Sequence, residues 1–160
     1  MCPLHTARMA RWAAVLAAEP EFAYGVRELF DAHKHKTMAT LRRDGSPRIS
    51  GIEVEFNDGD VWLGMMPGSV KAADLRRDQR LALHSASVDP VEGEEGSWAG
   101  DAKLAGRAVE IAHPDGVSEA GHRFRVEIAE VVRIRVGDPA DHLVIESWRE
   151  RAGLRRRIRR

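Results

Sequence analysis

The spacing of apolar positions changes period along the chain. Across residues 5 to 18, Met9, Trp12, Leu16 and several alanines, preceded by Leu4, fall at the three-to-four spacing of a helix face. Pro20 interrupts that run and suits the first turn of a second helix, from about Glu21 to Ala32, with Phe22, Val26, Leu29 and Phe30 on one side. His33-Lys34-His35-Lys36 closes it with positive charge, as a helix C-terminus favours. From Thr37 the period drops to two. Thr37 to Arg43 reads as a strand, and Asp44-Gly45 as a hairpin turn. A second strand runs from about Pro47 to Phe56, with Ser50, Ile52, Val54 and Phe56 on one face and Gly51, Glu53 and Glu55 on the other. Asn57-Asp58-Gly59 turns into a third strand, Val61 to Met66, apolar enough to be central.

Pro67-Gly68-Ser69 breaks the sheet and opens a helix, Val70 to Asp78, for which Ser69 is the expected N-cap. Further strands follow at Leu81 to Ser87, Ala102 to Ala112, Phe124 to Val136 and Leu143 to Trp148. Residues 88–100 are acidic and glycine-rich and read as a loop, and His113-Pro114-Asp115-Gly116 leads into a short helix or loop. Seven strand signals and few helices predict a mainly β protein built as a closed antiparallel barrel. The expected organisation is one domain over 1–160: N-terminal helices in 1–35, the barrel in 37–148 and an arginine-rich tail in 149–160.

At 160 residues the chain buries enough surface to fold without a disulfide or metal staple. It has no apolar run of the roughly 20 residues that a membrane helix needs. The single cysteine, Cys2, cannot form an internal bridge, which fits a reducing, cytoplasmic setting. Charge is balanced overall but unevenly placed. Residues 149–160 hold seven arginines and one acid, leaving 18 basic and 24 acidic side chains on the rest. That segment reads either as a solvated, partly disordered end or as an attractor of anions. The acidic body and the scarcity of stacking residues (one tyrosine, four phenylalanines) argue against nucleic acid as the partner. His33 and His35 lack a third ligand nearby, so no metal site is expected. Phosphate-loop, dinucleotide-binding, nucleophile-elbow and zinc-protease motifs are all missing.

One constellation carries chemistry. Arg48 opens the second strand, and Ser69 and Lys71 open the helix that follows the third. If the meander brings them together, a guanidinium, a hydroxyl, an ammonium and a helix N-terminus converge as a phosphate site. The plainer reading makes Arg48 and Lys71 surface charges and Ser69 a cap. The tight Pro67-Gly68 turn between strand and helix favours the site.

These residues, with Asp44, Gly45, Pro47, Leu75, Asp78, Arg80, Leu81, Ala82 and Leu83, resemble the pattern of the pyridoxamine 5′-phosphate oxidase-like proteins, the FMN- or F420-binding split β-barrels. The resemblance covers about residues 23 to 150 and is closest to the actinobacterial branch. It implies a six- to seven-stranded split barrel and a homodimer with cofactor at the subunit interface. It also implies that Arg48, Ser69 and Lys71 hold the cofactor phosphate. Ile49, Ser50 and the strand Trp62 to Met66 would lie along the ring and ribityl chain, with Met65 and Met66 on the ring face or simply in the core. The implied activity is flavin- or deazaflavin-dependent hydride transfer to or from a small unsaturated or carbonyl substrate. The implied cofactor is FMN, with coenzyme F420 as the alternative. A non-catalytic FMN-binding protein, a flavin store or sensor, is the other reading. Val70 stands where the vitamin B6 oxidases usually carry another phosphate arginine, and the C-terminal segment departs from theirs. Both changes argue against vitamin B6 phosphate as substrate.

Overall fold

The computed structural model describes residues 8–113 and 121–160. Two helices, α1 (Trp12–Ala18) and α2 (Pro20–Asp31), precede the sheet. β1 (Lys36–Leu41), β2 (Pro47–Ile52), β3 (Val54–Asn57) and β4 (Asp60–Met65) follow, then α3 (Val70–Arg77) and β5 (Arg80–His84). The chain ends in β6 (Asp101–Glu110), β7 (His122–Val136), β8 (Leu143–Arg149) and β9 (Gly153–Arg159). All the strand pairs are antiparallel, and the main path runs β2-β1-β5-β6-β7-β4-β3. Glu53 alone separates β2 from β3. One run of chain therefore begins the path against β1 and ends it against β4, and this closes the barrel.

The described strands number nine, against seven strand signals in the sequence. One addition is the break at Glu53, where a bend invisible to period-two alternation divides a single run. The other is β9, formed by the arginine-rich segment, which pairs with β8 from Leu143↔Arg159 to Arg149↔Gly153. The expectation of a partly disordered end is therefore corrected. At the N-terminus, the helix starts at Trp12 because Ala10 is committed elsewhere. Its N–H and C=O both bond to Ile128, at 2.8 Å each, and the neighbouring Arg11 pairs with Asp60. The start of the expected helix at residue 5, and the turn at 114–116, lie outside the described residues.

The inner face of the barrel supplies the core. Met38, Leu63, Leu83, Leu104, Phe124, Val126 and Ile128 meet Val15, Phe22, Val26 and Phe30 of the helices. Trp12 stands edge-on to Phe56, 4.7 Å between ring centroids. β7 is long enough to serve two partners: its first half pairs with β4 and its second with β8, while β6 follows both halves. A register shift at Ala105/Gly106 bends β6 there. A side chain on Gly106 would meet the Glu127 carbonyl at 2.0 Å, so only glycine fits that bend.

Beyond the barrel, β8 and β9 are held by a buried charge. Glu146 is wholly buried. It accepts bonds from Arg133 at 2.7 Å and Arg156 at 2.8 Å, with Arg135 at 3.6 Å. Burial would raise its pKa, but the bonds from Arg156 and Arg133 outweigh that and hold it below the usual carboxylate range. The Arg133 guanidinium reaches it by passing α2 at Gly25, where an added Cβ would lie 1.8 Å from it. A mid-helix glycine, which costs about 1 kcal/mol of helix propensity, is thereby explained.

Removing the Glu146 carboxylate leaves the Arg133 guanidinium, mostly buried, without its partner. Glu146→Ala is expected to cost about 3 kcal/mol in urea unfolding and to expose β9 amides to hydrogen exchange. A loss under about 1 kcal/mol would show that this cluster does not hold the hairpin.

Candidate functional site

The expected phosphate residues are drawn from two elements, β2 and α3, that meet at one end of the barrel. Ala72, Asp74 and Leu75 form the buried face of α3. Asp74 is a carboxylate in an apolar setting, so donors must meet it. Thr40 Oγ1 donates to it at 2.8 Å, Arg48 Nε at 2.7 Å and Arg77 at 2.9 Å. Burial pushes the Asp74 carboxyl up, but these bonds prevail and hold its pKa at about 2. Arg48 is thus turned to the inner face as a structural counter-ion. Its guanidinium is spent on Asp74, and it is not among the residues that line the groove beside Ser69 and Lys71.

Ser69 and Lys71 do lie together. They border a groove of about 1260 Å³ that also takes in Met65, Met66, Trp62 and Gly51. Lys71 Nζ donates to the Gly51 carbonyl at 2.5 Å, which aims the ammonium along β2 and leaves its other protons free. Ser69 is the N-cap residue of α3, as expected, but its side chain makes no capping bond. Its hydroxyl and the first amides of α3 therefore face the groove without a partner from the helix. Met66 and Val70 are exposed apolar side chains at the rim, while Met65 is buried beneath it. Arg123 of β7 stacks 3.8 Å from the Trp62 ring centroid.

Ile49 and Ser50 separate by the strand's alternation. Ile49 points outward, 76% exposed, and lines a second hollow of about 470 Å³ with Ala39, Ala82, Ala105 and Val132. Ser50 is on the opposite side from Ile49, paired across to Met38, and lines neither depression. Gly51, which borders the groove, lies two residues from Ile49, which borders the hollow, on the same outward face of β2. His84 borders the hollow and bonds the Ser85 carbonyl at 2.6 Å. Trp148 is a core residue, only 2% exposed. Among the described residues no cluster of potential metal ligands occurs.

Two participants were not found in the sequence reading. Arg123 belongs to the groove through the register of β7 on β4, opposite Gly64. Asp74 could have been suspected as an acid placed between two apolar positions of a short helix, Ala72 and Leu75.

No protein-family model and no curated protein sequence matches the chain. Solved structures match its fold. A heme binding protein from Mycobacterium smegmatis aligns with a TM-score of 0.59 at 16% identity, over 80% of this chain and 57% of its own. The chain therefore spans little more than half the length of that protein. A conserved hypothetical protein from Mycobacterium tuberculosis aligns at 0.55 and 21% identity, over 83% and 85% of the two chains. A protein related to general stress protein 26, of the pyridoxinephosphate oxidase family, from Clostridium acetobutylicum aligns at 0.55 and 14%, over 73% and 90%. The fold is the split barrel shared by pyridoxamine 5′-phosphate oxidase-like proteins and related heme-binding proteins.

Because the Asp74 pKa lies below the ordinary 3.8, the stability it contributes is full above that value and is lost as pH falls through about 2. Asp74→Asn is expected to cost about 3 kcal/mol at neutral pH. In denaturation series from about pH 5 to 2, the gap between wild type and variant should close in acid. A gap independent of pH would refute the ionised, triply bonded carboxylate.

Proposed function

We propose that this protein is a flavin- or deazaflavin-dependent oxidoreductase that binds its cofactor phosphate at the start of α3. The observation that carries this reading is the Ser69 hydroxyl, which makes no capping bond, beside Lys71 at the head of the groove. The fold, shared with a pyridoxinephosphate oxidase-family protein, supports it. The residues fit such a group. An ammonium, a free hydroxyl and helix amides suit a phosphate. Met65, Met66 and the Trp62 ring offer the apolar walls that a planar ring system takes. Ile49, one alternate position along β2 from Gly51, offers a further apolar contact on the outward face.

When bound, FMN or a deazaflavin supplies the hydride chemistry itself. The chain's own part is to hold and shield it. Lys71 and Ser69 anchor the anionic end, and Met66 and Ile49 exclude water along the outer face. The exposed Ile49 among small residues also favours a second copy of the chain over that face, with cofactor between two protomers. Arg48 acts at one remove, by positioning α3 through Asp74.

Titration of purified protein with FMN and with coenzyme F420, followed by ligand fluorescence, tests the assignment. Lys71→Ala is expected to weaken the bound cofactor by roughly tenfold or more, the loss of one charge-assisted bond. Arg48→Ala should instead lower thermal stability while the Lys71 contact persists. Unchanged affinity in Lys71→Ala would overturn the phosphate site. Tight hemin binding with no flavin binding would move the assignment to the heme-binding branch of the fold. Bound flavin that turns over no small carbonyl or unsaturated substrate would make the protein a flavin store or sensor.

A further inference from the structure

We propose that β9 is a docking edge for an extended acidic segment of a partner polypeptide, which adds to the sheet as a further strand. Among the described residues β9 pairs with β8 alone, so the backbone groups of its other edge are open. The two faces of the strand differ in chemistry. Arg156 lies on one face and is fastened to the buried Glu146. Arg155, Arg157 and Arg159 lie on the other face, are exposed, and make no ion pair among the described residues. A further segment, Leu154 and Ile158, shares the Arg156 face, and Ile158 is 63% exposed.

This arrangement specifies its partner. Alternate residues on a strand are spaced about 6.6–6.8 Å, on β9 and on any strand added beside it. Three carboxylates at alternate positions would therefore each stand opposite one arginine, at cross-strand pairing distance. The intervening residues of the same segment would fall on the face of Leu154, Arg156 and Ile158, where those beside Leu154 and Ile158 need to be apolar. The arginines also exclude the simplest competitor, because a second copy of β9 would set like charges against each other. Nucleic acid is the weaker candidate. The β8 residues beside the arginines, Leu143, Ile145 and Ser147, include no aromatic ring for a base to stack on. Fixing of Arg156 by Glu146 keeps the strand extended before a partner arrives, which lowers the ordering cost of binding. The inference is independent of the cofactor assignment.

The test is a titration of the full chain with a terminally blocked peptide alternating glutamate and valine, followed by calorimetry. Saturable binding that weakens with added salt is expected. N-methylation of alternate peptide amides on the pairing edge should weaken it by roughly tenfold or more, because the main-chain bonds are lost. The double variant Arg155→Glu with Arg157→Glu should weaken it by at least a similar factor. Both positions are exposed, and circular dichroism together with thermal unfolding of the same variant checks that the barrel is unaffected. No binding would overturn the proposal. Equal affinity for the N-methylated peptide, or for one with its glutamates clustered, would also overturn it by reducing the interaction to net charge. Tighter binding of a single-stranded oligonucleotide would overturn it in favour of a phosphate-binding face.

Discussion

The position of α3 depends on one buried carboxylate. Asp74 sits on the inner face of a short helix that has little apolar surface of its own, with Ala72 and Leu75 as its buried partners. Three donors, from β1, β2 and the helix itself, satisfy the charge and fix the helix against the barrel. A buried charge is tolerated only when its donors are in place, so the helix has a single seat. That seat decides where Ser69 and Lys71 point. The Lys71 bond to the Gly51 carbonyl ties the same helix to β2 a second time.

The barrel wall separates structural from binding chemistry. Inward positions of β2 are spent on packing and on the Asp74 network, and outward positions remain for contact with other molecules. Arg48 and Ile49 are neighbours in sequence and opposite in role for this reason. Gly51 borders the groove at α3 and Ile49 borders the hollow, two positions on the same outward face of β2. A ligand that occupied both would lie along the outer face of β2 and leave the core undisturbed.

A second buried carboxylate, Glu146, gives β8 and β9 their order. Its three arginine neighbours come from β7 and β9, so one residue couples the end of the barrel to the strand beyond it. The arginines of β9 consequently divide by alternation. Arg156 turns in to a partner, and Arg155, Arg157 and Arg159 turn out to solvent. A segment that composition alone would leave as a charged tail becomes a strand because one of its charges finds a buried counter-ion.

Most of the framework was legible in the sequence, since amphipathic period and turn residues act locally. Pro20, Asp44-Gly45, Asn57-Asp58-Gly59 and Pro67-Gly68 placed the element boundaries to within a few residues. The antiparallel barrel followed from the number and spacing of the strands. Ser69 and Lys71 were legible as neighbours because one helical turn carries both. Arg48 was legible as important, but its partner was not. Whether it meets a bound phosphate or Asp74 depends on which face of β2 is turned inward and on where α3 docks, and both are set by contacts across tens of residues. The same holds for Arg123 on Trp62, for the bend at Glu53, and for Glu146 beneath Arg156. Local periodicity determined which segments are strands and helices. Strand register and the demand of buried charges for partners, which exist only once distant segments meet, decided what each arginine does.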